Sequence, residues 1–300
     1  MATTRRALLA MGAVMPLAIG ARAAAQAPAP ASPSPASPSP ASPAPASPVD
    51  VPTLWRGLFA GPTDALACWW SSGTLYAHVD RLREFPVAGL RSVMLLRTGV
   101  QATGTVADFR TIGFFTDLDT GSPADRWYNV FTDRVQDLPP FFVEGPGRYA
   151  MTPTADGAAL ALTAARTRTN RVLATAEASG DRLALTQIEG TLQGFPSLDG
   201  TLPPLDDPAV TERQSRFQFI ARRAAVAEAG KGSVAGTRGF FSHVYDALPP
   251  WLGFGDTLGS GLSKGQMLKA AAQDRVDEGA WAYLRHHVPD AFSGDRLVLR

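Results

Sequence analysis

From about Val51 to Ala247 the apolar positions fall in short runs rich in aromatic and β-branched residues, separated by Gly, Pro, Asp and Ser. That pattern predicts strands joined by tight turns. Residues 66–70 and 74–79 flank Ser71-Ser72-Gly73 and read as a hairpin. Residues 90–97, 108–117, 127–132, 148–152, 171–177 and 182–189 continue the series, with a turn at 119–122. In 214–221 the alternation puts Phe217 and Phe219 on one face and Arg216 and Gln218 on the other. Residues 236–246 form the last long strand. No helix-length crossover separates these runs, so the sheet is expected to be antiparallel. A sheet of that size loses its edges by curling. The expected fold is therefore mainly β: an antiparallel β-barrel or strongly curled sheet, lipocalin-like in general shape, with C-terminal helices.

The two ends break the pattern. Residues 266–276 are strong helix formers, and 278–287 with Val288 place Trp281, Leu284 and Val288 at helical spacing. These helices are expected to plug or cover one end of the barrel. At the other terminus, Arg5-Arg6 precede an apolar run over 7–19 and the small residues Ala23-Ala24-Ala25. This reads as a signal peptide over 1–25, cleaved before Gln26, and the paired arginines resemble a twin-arginine signal. The run is shorter than the ~20 residues a membrane span needs. The expected location is periplasmic or secreted, with the twin-arginine export machinery as a partner and no membrane span after signal removal. Residues 26–50 are rich in Ala, Pro and Ser and form an expected disordered linker, since dense proline removes backbone donors. Residues 51–300 are then a single β-rich domain.

Charge narrows the function. Without Arg5, Arg6 and Arg22 of the signal, the 28 Lys+Arg fall to 25 against 27 Asp+Glu. A nearly balanced surface argues against a sequence-independent nucleic-acid partner. The single cysteine, Cys68, rules out an intramolecular disulfide and a cysteine zinc site. The four histidines, His78, His243, His286 and His287, show no metal-motif spacing. Gly261-Leu262-Ser263-Lys264-Gly265 matches the nucleophile-elbow pattern, with Asp274 and His286 following in hydrolase order. The turn-like residues before it and the short chain after it argue against that reading. No motif names a cofactor.

What remains are polar residues among aromatics on strands. Phe241, His243 and Tyr245 share one strand face, Tyr76 and His78 share another, and Arg97 and Arg110 sit inside apolar runs. If these faces line the barrel, Tyr76, His78, Arg97, Arg110, Trp127, Asn129, His243 and Tyr245 are candidate ligand-binding residues. Such a site would hold an apolar or aromatic small molecule. Two alternatives stand beside it: a lyase or isomerase using His243 or His78 with Tyr or Arg as acid–base partners, and a structural module on a Pro-rich stalk.

The residues Trp69-Trp70-Ser71-Ser72-Gly73, Asp117-Leu118-Asp119-Thr120-Gly121, Trp127 with Asn129, and Pro250-Trp251 with Gly255 resemble the family described as domain of unknown function 1838. The resemblance spans about 51–260. It implies an exported bacterial β-rich protein and implies no activity.

Overall fold

The computed structural model describes residues 50–79, 84–155, 157–229, 232–234, 236–270, 273, 277–294 and 296–299. The expected signal peptide and nearly all of the linker lie outside the described residues. Twelve strands matter here: β1 (Leu66–Val79), β2 (Phe85–Gln101), β3 (Gly104–Thr116), β4 (Arg126–Asn129), β5 (Arg134–Asp137), β6 (Phe142–Thr154), β7 (Gly157–Ala164), β8 (Arg168–Ser179), β9 (Arg182–Gly194), β10 (Val210–Arg222), β11 (Arg238–Tyr245) and β12 (Gly259–Ala270). β4 and β5 form a separate hairpin. The other ten make one antiparallel sheet in the order β7-β6-β3-β2-β1-β12-β11-β10-β9-β8. β7 and β8, the two ends of that order, follow each other in the chain and are bridged at Ala164 and Thr167. The sheet is thereby nearly closed into a barrel, as the strand pattern predicts.

Three local expectations are corrected. Ser71-Ser72-Gly73 is no turn but the middle of the unbroken strand β1. Gly73 is tightly enclosed there: a Cβ on it would meet the Lys264 carbonyl at 2.6 Å and the Phe241 ring at 2.7 Å. Residues 266–270 belong to β12, where Met267 enters the core, so the helix expected over 266–276 is a strand in its first part; Asp274 and residues 275–276 lie outside the described residues. The helix at 278–287 exists as α3 (Glu278–His287) but does not cap the barrel end. Here α1 denotes Val51–Leu54 and α2 Arg223–Ala229.

α3 starts where the Asp277 side chain accepts the Ala280 N–H at 2.9 Å, the usual N-cap bond. It buries Ala280, Trp281 and Leu284 against Cys68, Val93, Leu95, Ile112 and Phe114. These lie on the outer face of β1, β2 and β3, while Trp69, Met94, Leu96 and Phe109 from the same strands fill the interior. Apolar cover on both sides explains why 93–96 and 112–115 are continuous apolar runs instead of alternating ones. Burial pushes the Cys68 thiol up to about 12, which makes it a packing residue.

One end of the interior is filled by residues 51–60, which precede the first strand. α1 runs directly into a wider π-helical turn over Trp55–Ala60, ended by Gly61 at φ 106°, a conformation that favours glycine. Trp55, Leu58 and Phe59 are at most 1% exposed. Phe59 packs on Trp69, Tyr149 and Phe219 with ring centroids 6.4, 5.4 and 5.1 Å away. Burying each such side chain contributes about 1.5–3 kcal/mol. Lys269, 3% exposed, donates to the Gly57 and Leu58 carbonyls at 3.2 and 3.1 Å and ties this plug to β12.

Candidate functional site

Beyond the plug the interior changes character. The inward face of β9 runs Leu183, Leu185, Gln187, Glu189, Thr191, Gln193, all of them buried. β10 presents Phe219 and Phe217 and then Ser215 and Arg213 on the same face. Strand register assembles these into cross-barrel rows: Glu189, Ser215, His243 and Ser263 form one, and Thr191, Arg213 and Tyr245 the next. Apolar walls face them from the other side of the barrel, including Met94, Phe109, Phe115 and Phe142. Between lies a cavity of about 120 Å³, near the ~150 Å³ that accommodates a benzene ring. Loops close its far end, where Trp251 donates to the Pro196 carbonyl at 3.1 Å and packs at a tilt with its ring centroid 5.1 Å from that of Phe115.

The polar groups are wired in chains. Trp55 Nε1 donates to Gln187 Oε1 at 3.0 Å, Gln187 Nε2 to Glu189 Oε1 at 2.5 Å, and the Tyr149 hydroxyl to the same oxygen at 2.8 Å. Arg213 forms an ion pair with Glu144 through one terminal nitrogen, and Gln193 Nε2 donates to the same carboxylate at 3.3 Å. His243 Nδ1 lies 2.8 Å from Ser215 Oγ. These arrangements split the two carboxyls. Burial raises Glu189 above the usual carboxylate range, against the hydrogen bonds it receives. Burial acts the same way on Glu144 and is its largest single influence, but the Arg213 charge, the nearby His243 and the hydrogen bonds from Arg213 and Gln193 together outweigh it, and Glu144 is held low. Burial and the nearby Arg213 push His243 down to about 3, so its imidazole is neutral at physiological pH. Burial raises Tyr245, with the Arg213 guanidinium opposing. The cavity therefore holds the Arg213–Glu144 ion pair, a neutral His243 imidazole and a second carboxyl, Glu189, whose burial favours its protonated form.

Of the eight candidate residues read from the sequence, His243 and Tyr245 line this cavity. The other six do not, and the expectation that Tyr76, His78 and Arg110 share one interior space with them is corrected. Leu75 is the inward residue of its pair, so Tyr76 and His78 face outward: Lys264 sits 4.3 Å over the Tyr76 ring, and His78 is exposed. Arg97 is exposed on the outer face of β2. Arg110 is half-buried on the outer face of β3, in the field of Asp290. Trp127 packs beside Phe254 in a separate cluster with Leu252. Asn129, fully buried, donates to the Leu252 carbonyl at 2.9 Å and accepts from the Phe131 and Thr132 N–H groups, which makes it a turn-fixing residue. The Gly261–Gly265 motif lies within β12, so the sharp turn of a nucleophile elbow is absent there.

No family model matches the chain, and no curated protein matches it. The resemblance to the 1838 family rests on its short motifs alone. Sequence reasoning missed Glu144, Tyr149, Gln187, Glu189 and Arg213. A signal was present for two of them: Gln187 and Glu189 continue, at period two, the face that Leu183 and Leu185 begin, so a core face turns polar in mid-strand. Among the described residues no group of three or more His, Cys, Asp or Glu side chains comes together to hold a metal.

Proposed function

We propose that this protein is an exported binding protein that holds one small, ring-bearing molecule inside its barrel. The observation that carries this reading is the abrupt change along the interior faces of β9 and β10, from apolar to hydrogen-bonding, with a ring-sized space at the boundary. Packed cores are filled to high density, and buried polar side chains are kept where they have partners. A cavity with aromatic walls on one side and a few convergent polar groups on the other is the usual anatomy of a small-molecule site. The export half of the proposal rests on the Arg5-Arg6 signal pattern.

The acid–base reading is less favoured. A general base works best with a pKa near the operating pH, whereas His243 is pushed down to about 3. His78 lies on the outer surface, away from the enclosed space.

His243→Phe separates binding from folding. Ser215 loses its imidazole partner, so stability should fall by only about 1–2 kcal/mol. A molecule extracted from the purified wild-type chain and identified by mass spectrometry should be at least about tenfold depleted in the variant, which corresponds to about 1.4 kcal/mol of binding. Equal recovery from both proteins would contradict a role for this face.

A further inference from the structure

We propose that the cavity selects an uncharged single-ring molecule bearing a hydrogen-bond-accepting oxygen, of the aryl ketone or lactone class, and seats that oxygen against the Arg213 Nε–H and the Ser263 hydroxyl. The inference rests on the binding reading above and specifies its ligand. Two observations in the cavity wall carry it. Arg213 is only 5% exposed, yet its Nε–H is buried with no hydrogen-bond partner. The Ser263 hydroxyl, in a residue 3% exposed, is buried without one as well. An unmet buried donor is costly, and such groups mark a place where something outside the chain completes the bonding. Both side chains line the cavity, on β10 and β12, one on each side of β11 in the strand order.

Charge then decides the class of head group. Arg213 is already neutralised by Glu144, and His243 adds no positive charge. A carboxylate placed here would stand beside the Glu144 carboxylate in an enclosed, weakly polar space, and an ammonium would stand beside Arg213. Like charges in such surroundings repel strongly. An uncharged oxygen accepts from Arg213 without upsetting the balance. The body of the ligand meets Phe217, Phe241, Phe109 and Phe115, and the space available admits about one ring.

Four probes of one shape and different heads test this on the full chain: acetophenone, ethylbenzene, benzoate and benzylammonium, titrated by calorimetry with chemical-shift mapping. Acetophenone should bind at least about tenfold tighter than either charged probe and about fivefold tighter than ethylbenzene, the worth of one net hydrogen bond. Ser263→Ala, which removes an unpartnered hydroxyl, should fold as the wild type does and lose most of the preference for acetophenone over ethylbenzene. Benzoate or benzylammonium binding as tightly as acetophenone would overturn the inference and leave the binding reading intact. So would a failure of all four probes if the chain carries a different molecule from its source. Failure of all four with an empty chain would overturn both. An undiminished preference in Ser263→Ala would overturn the seat at Ser263.

Discussion

Arg213→Met should destabilise the protein by about 3–5 kcal/mol, measured by urea unfolding, because it strands Glu144 inside the barrel without its cation. Arg213 is 5% exposed and pairs with Glu144 across the interior, from β10 to β6. These strands are not neighbours in the sheet, so the pair links opposite walls. Burial alone would raise the Glu144 carboxyl, and the guanidinium is the largest of the influences that hold it low, ahead of His243 and the Gln193 hydrogen bond. Without Arg213 the carboxyl should take up a proton well above its ordinary range, which limits the loss. The double variant Arg213→Met with Glu144→Gln should recover a large part of the stability, since no charge is then left unpaired. It also keeps the test sharp if the single variant does not fold. A single-variant loss below about 1 kcal/mol would show that the pair is solvated and the cavity open.

Lys269→Met should make stability less dependent on pH in the alkaline range. Lys269 lies at the plug, 3% exposed, with its ammonium on two backbone carbonyls and no ion-pair partner among the described residues. Burial pushes its pKa down to about 7, against about 10.4 in an unfolded chain. Between these values the unfolded chain holds the proton and the folded chain does not, so folding becomes more favourable as pH rises. Below about 7 both states are protonated and the full penalty applies. Relative to Lys269→Met, the wild type should therefore gain about 1.4 kcal/mol per pH unit between roughly pH 7.5 and 9.5. Paired unfolding curves across that range measure it, and taking the difference cancels the other titrating groups. A constant difference would mean that the ammonium keeps its ordinary pKa and reaches solvent.

Much of the β architecture was legible because its cause is local. Strand runs such as 90–97 and 214–221 carry their period in their own residues, and the turns between them carry Gly, Asp and Ser. Which face points inward was not legible, because that depends on what covers the outside. On β1, β2 and β3 the packing of α3 makes both faces apolar, so Tyr76 against Leu75 and Arg110 against Phe109 could not be told apart by alternation. On β11 the outside is solvent, with Phe240 and Val244 exposed, and Phe241, His243 and Tyr245, grouped on one face by their period, share the inward face. The strand at β12 was masked by helix-forming composition: Gln266, Met267, Leu268 and Lys269 favour a helix in isolation, and cross-strand pairing with β1 and β11 overrides them. The Arg213–Glu144 pair joins positions far apart in the chain, and no local pattern announces it.

The proposed binding site is the space between the polar rows of β9–β12 and the aromatic walls opposite. Thr111 lies on the wall opposite those rows and lines the cavity. Replacing it with phenylalanine adds a ring to that space and should leave the barrel folded, at a cost of about 1–3 kcal/mol for overpacking. The decisive measurement is native mass spectrometry of both proteins purified from their own compartment. Each wild-type chain should carry one small organic molecule, and the Thr111→Phe chain should be empty with an unchanged fold. Wild type and variant carrying the same load, or both empty, would contradict the proposed site.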